Sequence, residues 1–102
     1  MGRIRVCDEG DIAPGGHRIV DIGGGIEVAV FNVDGTYYAI EDICTHDDAP
    51  LADGALDGRC IECPRHGARF DLATGEALSL PAYRPVETFP VIVDDGAIWV
   101  ED

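Results

Sequence analysis

Short apolar runs separated by glycine and proline constrain this chain more than any other feature. The 102 residues include 13 glycines and six prolines, and no segment keeps a helical apolar period over three turns. β-Branched and aromatic residues fill the runs between the turns, which is typical of strands. The sequence therefore predicts an all-β fold, with at most one helical turn in residues 47–54.

Turn-forming dipeptides predict two β-hairpins. Asp34-Gly35 lies between two strand-like runs, and Asp95-Gly96 preceded by Asp94 lies between two others. The predicted arms are residues 26–32 and 36–41 for the first hairpin, and 86–93 and 97–100 for the second. Pro90 indicates an edge strand or a bulge in the third of these arms. Further short strands are predicted at residues 4–8, 17–22, 59–63 and 68–72.

The length and the 46% hydrophobic content predict a single domain, residues 1–102, with one compact core. Within it, residues 42–79 differ in character from the flanking hairpins, because they hold all the cysteines and histidines except Cys7 and His17. We therefore expect a basal β part, residues 1–41 and 80–102, with an inserted part that carries a site.

The charge is strongly acidic. Twenty carboxylates face seven arginines and no lysine, for a net charge of -13, which argues against nucleic acid and anionic membranes as partners. A macromolecular partner should be basic where it docks. No apolar run is long enough for a membrane helix and no export signal is evident, so a soluble cytoplasmic protein with reduced thiols is expected.

Two short stretches each combine a cysteine with a histidine: Cys44-Thr45-His46, and Cys63 followed by His66. Two thiolates and two imidazoles suit zinc or a mixed-ligand iron–sulfur cluster. Zinc fingers pair cysteine with cysteine and histidine with histidine, whereas here each stretch supplies one of each. That arrangement favours a binuclear cluster held by two loops.

The stretch Cys44-Thr45-His46, then sixteen residues, then Cys63-Pro64-Arg65-His66-Gly67 resembles the Rieske motif C-x-H…C-x-x-H-G. The length and the strand–insertion–strand organisation are similar to those of free-standing Rieske ferredoxins. The resemblance implies one [2Fe–2S] cluster on a Rieske-like antiparallel β domain, with cysteines on the inner iron and histidines on the outer iron. The implied ligands are Cys44, His46, Cys63 and His66, and the implied neighbours of the cluster are Thr45, Pro64, Gly67 and Pro81.

The resemblance also bears on the reduction potential. High-potential Rieske proteins carry a disulfide and two hydroxyl donors to the cluster sulfurs, at positions that correspond here to Ala49, Arg65, Ala68 and Phe70. These supports are absent, and acidic residues near the loops disfavour reduction further, although solvent screens them. We expect a potential near the low end of the Rieske range, about -150 mV.

The sequence offers no second metal site and no dinucleotide-binding glycine motif, so we expect an electron carrier and not an enzyme. The resemblance implies the ferredoxin of a multicomponent aromatic-ring-hydroxylating dioxygenase. It would be a monomer that docks transiently, through Arg65 and the histidines, with a flavoprotein reductase and a terminal oxygenase. The small subunit of an assimilatory nitrite reductase is the alternative, and a structural zinc module is a remote one.

Three remaining metal-competent residues are interpreted as structural. Cys7 and Cys60 are expected to be small buried apolar residues, since the ligand set is complete without them. His17, beside Gly15-Gly16, is expected at the surface or at the start of a strand.

Overall fold

A computed structural model describes residues 2–45, 49–65, 67–80, 82 and 84–102. Within these ranges the chain forms ten β-strands and no helix, which confirms the all-β prediction. The strands are β1 (Arg3–Asp8), β2 (His17–Asp21), β3 (Glu27–Val33), β4 (Thr36–Glu41), β5 (Ala55–Asp57), β6 (Cys60–Glu62), β7 (Arg69–Asp71), β8 (Thr88–Phe89), β9 (Val91–Asp94) and β10 (Ala97–Glu101).

The strands form three antiparallel sheets. Their orders are β1-β10-β9, β2-β3-β4-β8 and β5-β6-β7. Both predicted hairpins are present, and both turn on two residues with positive φ: Asp34 and Gly35 in the first, Asp95 and Gly96 in the second. Two-residue turns of this kind match the twist of the strands they join. Local turn chemistry therefore sets the register of both hairpins.

The sheet β2-β3-β4-β8 is the middle layer of the molecule. Its strand β3 is buried on both faces, with Val28 and Val30 on one side and Ala29 and Phe31 on the other. The first pair packs in a core with the sheet β1-β10-β9, and the second pair in a core with the sheet β5-β6-β7. Two cores thus lie back to back. The division into a basal part and an inserted part stays a prediction.

One predicted strand was wrong, one strand was missed, and the described part of residues 47–54 holds a turn where at most one helical turn was expected. The arm at 86–93 is broken at Pro90, so that β8 pairs with β4 while β9 pairs with β10. Proline cannot donate a ladder hydrogen bond, and here the chain changes sheet at that residue. Strand β5 was missed, and residues 49–54 form a turn closed by the Gly54 N–H on the Leu51 carbonyl, with no helix in this described stretch.

Candidate iron–sulfur site

Two loops of equal length present the cysteines of the motif. The first cysteine loop, residues 44–49, follows β4, and the second cysteine loop, residues 63–68, joins β6 to β7. The Cys44 N–H donates to the Ala49 carbonyl and the Cys63 N–H donates to the Ala68 carbonyl, each at 2.6 Å. Both loops are therefore closed by the same hydrogen bond, from the cysteine to the fifth residue after it.

The two cysteines lie in one core. Cys44 is 0% exposed and Cys63 is 1% exposed, and both belong to the apolar cluster around Phe31 and Phe70. Two thiols at matched loop positions on one buried cluster suit a soft metal centre shielded from water. The donor set and its burial thus fit an iron–sulfur cluster.

His46, His66 and Pro81 lie outside the described residues, as do Asp47 and Asp48. In the described part of the chain, which leaves out both histidines of the motif, no three metal-binding side chains converge. The placement of the histidine ligands and of Pro81 beside the cluster therefore stays a prediction.

A carboxylate supports the first cysteine loop. Asp42 Oδ1 accepts hydrogen bonds from the backbone N–H groups of Leu51 and Ala52, both at 2.8 Å. Leu51 is fully buried, so its N–H needs a partner within the protein. Asp42 therefore fixes the chain that leaves the loop, a role that the sequence did not reveal.

Gly54 brings this region against the second loop. A methyl group at position 54 would overlap the carbonyl oxygen of Glu62, the residue that precedes Cys63. Only a glycine leaves room for so close an approach between the 49–54 stretch and β6. This close approach thus brings the chain that leaves the first cysteine loop against the strand that leads into the second.

The second cysteine loop is held mainly by its own backbone. Gly67 has a φ of 75°, and its N–H donates to the Cys63 carbonyl at 3.1 Å. Apart from its neighbours in the chain, no described residue has an atom within 4 Å of the position that a Cβ would take. The glycine is therefore needed for its left-handed conformation, whereas its predicted close approach to the cluster stays a prediction.

Ion pairs tie together the sheet that carries this loop. Arg69 on β7 contacts Asp57 on β5 at 2.8 Å, and Arg59 contacts Asp71 at 3.1 Å. Burial alone would raise the pKa of Asp71, but hydrogen bonds from Arg59 and from the N–H groups of residues 73 and 74 lower that pKa below its ordinary value. Arg59 and Asp71 thus reinforce the sheet at the end away from Cys63, whereas Arg69 lies opposite Glu62, at the end next to Cys63.

The first cysteine loop also contacts the chain near residue 84. The Thr45 hydroxyl donates to the Arg84 carbonyl at 2.7 Å, and Arg84 Nη2 donates to the Thr45 carbonyl at 2.9 Å. Thr45 was predicted to lie beside the cluster ligands, but Arg84 was missed, because nothing in the local sequence connects two residues so far apart. Pro64 and Arg65, two other predicted site residues, are exposed on the second loop.

The predictions for Cys7, Cys60 and His17 had different outcomes. Cys7 is buried, at 3% exposed, and burial raises the pKa of its thiol, as expected for a core residue. His17 is exposed and begins β2, as predicted. Cys60 is only half-buried, because it faces the side of β6 opposite the buried Ile61, so its expected burial was wrong. No disulfide joins the four cysteines.

Three of the four supports expected of high-potential Rieske proteins are replaced here by apolar residues, and the fourth by Arg65. Phe70 is 0% exposed and lacks the hydroxyl expected of a high-potential protein at that position. Ala49 and Ala68 are buried and contribute the carbonyls that close the two loops. The side chains of Ala49, Ala68 and Phe70 therefore offer no hydroxyl or thiol to a cluster.

Two matched, buried cysteine loops on an all-β fold indicate an iron–sulfur protein. Comparison with known proteins identifies its family. A family model for the Rieske [2Fe-2S] domain matches residues 2–90. The chain belongs to the Rieske [2Fe–2S] family, whose cofactor is a [2Fe–2S] cluster. In the described part of the chain, no helix has the length and hydropathy needed to cross a membrane.

Similar proteins indicate that the chain is a ferredoxin of this family. The chain is 43% identical to the 3-phenylpropionate/cinnamic acid dioxygenase ferredoxin subunit of Escherichia coli (strain K12), over 99% of this chain and 94% of that protein. It is 42% identical, with a TM-score of 0.91, to a chain in a complex of reduced oxygenase and oxidized ferredoxin in carbazole 1,9a-dioxygenase, covering 96% and 91% of the two chains. It is 38% identical, with a TM-score of 0.90 and 99% coverage of each, to the Sphingomonas yanoikuyae B1 ferredoxin.

Proposed function

We propose that this protein is the ferredoxin component of an aromatic-ring-hydroxylating dioxygenase system. It carries electrons one at a time from a flavoprotein reductase to a terminal oxygenase. The observation that carries the proposal is the extent of the similarity: 43% identity to a dioxygenase ferredoxin subunit runs through 99% of the chain.

We assign the four cluster ligands to Cys44, His46, Cys63 and His66. The matched closure of the two loops and the burial of both cysteines support the assignment. The [2Fe–2S] cluster supplies a one-electron couple. The protein contributes the dry, apolar wall around the thiolates, in which Phe31 and Phe70 exclude water.

A potential at the low end of the Rieske range follows from these surroundings. Phe70 cannot donate a hydrogen bond where a hydroxyl would stabilise the added electron. We expect about -150 mV, independent of pH near neutrality, in direct voltammetry from about pH 6 to pH 10. A potential above zero that already falls with pH near neutrality would contradict this account.

We propose that partners dock on the tip formed by the two cysteine loops and segment 79–86, whose described residues are 79, 80, 82 and 84–86. These three stretches hold two carboxylates and two arginines, so the whole net charge of -13 lies elsewhere on the chain. Leu80 is 79% exposed, the highest exposure among the large apolar side chains of the described residues. A neutral tip with an exposed leucine suits an apolar depression on a partner, and the acidic body suits a basic rim around it.

Reconstitution with the cognate reductase and oxygenase tests the electron-carrier function and the docking surface. Turnover should stop without the ferredoxin and should weaken as salt rises, because screening slows association. Leu80→Ser should raise the ferredoxin concentration needed for half-maximal turnover by about tenfold, the loss expected for one buried leucine. Ile19→Ser is the matched control, since Ile19 is 37% exposed on β2, outside the tip. Flat salt dependence, or equal effects of the two serines, would refute this docking surface.

The alternatives from the sequence are less well supported. A zinc module does not agree with the cofactor of the family, and a nitrite reductase subunit is disfavoured by the 43% identity to a dioxygenase ferredoxin. We further propose a cytoplasmic location, since Cys7 and Cys60, the two cysteines outside the proposed ligand set, form no disulfide. Arg65 as a docking contact is part of the same proposal, supported by its exposure on the second cysteine loop.

A further inference from the structure

Segment 79–86 packs beside both cysteine loops. At one end the Ser79 hydroxyl accepts a hydrogen bond from the Arg69 N–H at 3.1 Å, and at the other the Val86 N–H donates to the Gly75 carbonyl at 2.8 Å. Between them, Ala82 is buried in the apolar cluster that contains the two motif cysteines. The segment is thus anchored to the sheet β5-β6-β7 and lies against the cysteine core.

Its contact with the first cysteine loop is reciprocal. Thr45 donates through its hydroxyl to the Arg84 carbonyl, and Arg84 donates through its guanidinium to the Thr45 carbonyl, at 2.7 and 2.9 Å. The Thr45 carbonyl belongs to the peptide that joins Thr45 to His46. A permanent positive charge is therefore held one peptide away from a proposed cluster ligand.

We propose that Arg84 is a positioning residue for electron transfer. It fastens segment 79–86 to the first cysteine loop and, through its charge, raises the reduction potential of the protein. The inference rests on the proposed ligand role of the Cys44–His46 stretch. Adding an electron makes the site more negative, and a nearby cation stabilises that state. Arg84 thus offsets part of the acidity that surrounds the site.

Solvent limits how far the charge of Arg84 can shift the reduction potential. Arg84 is exposed, so salt screens its charge, whereas the two hydrogen bonds fix its distance from the loop. The charge effect and the mechanical effect can be separated by mutation. Arg84→Gln removes the charge and leaves an amide that can still donate, while Thr45→Val keeps the charge and removes one of the two hydrogen bonds.

The experiment measures the reduction potential of the cluster-loaded protein at low ionic strength, and amide hydrogen exchange across residues 79–86. Arg84→Gln should lower the potential, and Arg84→Lys should restore most of it. Thr45→Val should speed exchange in the segment by about twofold to tenfold, as expected for one lost hydrogen bond, and Thr45→Ser should reverse that change. Arg59→Gln is the matched control, because Arg59 pairs with Asp71 at the far end of β6 and should leave both readouts unchanged.

Several results would overturn the inference. One is a potential in Arg84→Gln equal to that of the wild type, and another is an equal shift in Arg59→Gln. If Arg84→Gln does not assemble a cluster, the Thr45 variants test the contact: unchanged hydrogen exchange in Thr45→Val would refute it. Failure of the proposed function looks different, because the oxygenase would then reject electrons from the wild type even though the Arg84 variants shift the potential.

Discussion

The two cysteine loops have the same closure but different supports. Each is closed by an N–H···O bond of 2.6 Å from the cysteine to the fifth residue. The second loop is flanked directly by β6 and β7 and turns on Gly67, so its backbone holds it. The first loop has no flanking hairpin and depends on side chains, those of Asp42, Thr45 and Arg84.

This difference predicts which kind of substitution should destabilise each loop. Backbone changes should harm the second loop, and loss of single side-chain groups should harm the first. The contact at Gly54 joins the two regions, so a change there should affect both. Five variants, ordered from the largest expected effect, test this comparison.

Loss of either motif cysteine should abolish the cluster. Cys44→Ala and Cys63→Ala each remove a proposed thiolate ligand from a buried site, and both should lose iron, acid-labile sulfide and visible absorption. Cys60→Ala is the control and should keep all three, since Cys60 lies on β6 outside the proposed ligand set. Full iron content in Cys44→Ala would show that the two loops are not equivalent.

Gly54→Ala should destabilise the protein next most strongly. The added methyl group overlaps the Glu62 carbonyl, a backbone atom that cannot move without shifting β6. Overpacking of this kind costs about 1–3 kcal/mol, measurable by urea unfolding of the cluster-loaded protein. Gly58→Ala is the control, because that position has open space and only the strain of a positive φ. Equal losses in both would mean that the close approach does not matter.

Asp42→Ala should leave the N–H groups of Leu51 and Ala52 without their acceptor. Unsatisfied buried donors cost about 1–3 kcal/mol, and the loss should appear as a lower unfolding free energy together with faster release of iron. Asp42→Asn keeps an acceptor oxygen and should restore most of the stability. Asp53→Ala, which removes an exposed carboxylate nearby, should have no such effect.

Gly67→Ala should have the smallest of these effects. The φ of 75° strains any residue with a Cβ by about 1 kcal/mol, but nothing nearby obstructs the added methyl group. Asn tolerates this conformation better, so Gly67→Asn should lie between alanine and the wild type in thermal unfolding. If Gly67→Ala lost the cluster entirely, the glycine would be needed for space and not for conformation.

The sequence predicts local features well and distant ones poorly. The Asp34-Gly35 and Asp95-Gly96 turns specify their hairpins because all the information lies in adjacent residues. The cysteine and histidine spacing likewise indicates the cofactor. By contrast, β5 has only three residues and no strong alternation, and the change of sheet at Pro90 depends on which partner each half finds.

The same limit applies to the site. Asp42 contacts residues nine and ten positions ahead, and Arg84 contacts a residue 39 positions away. No periodicity or motif links such pairs, because the fold alone brings them together. The sequence therefore suffices to propose the ligands, whereas it does not indicate the side chains that support the first cysteine loop.

The central position of β10 in its sheet affects the order in which the sheets form. In the sheet β1-β10-β9, Arg3 lies opposite Glu101, so β1 has no partner until residues 97–101 have been synthesised. The sheet β5-β6-β7, by contrast, pairs strands that are close in the sequence. Contacts between distant parts of a chain form slowly. The sheet β5-β6-β7 and the second cysteine loop should therefore form early in folding, and the sheet β1-β10-β9 should form last.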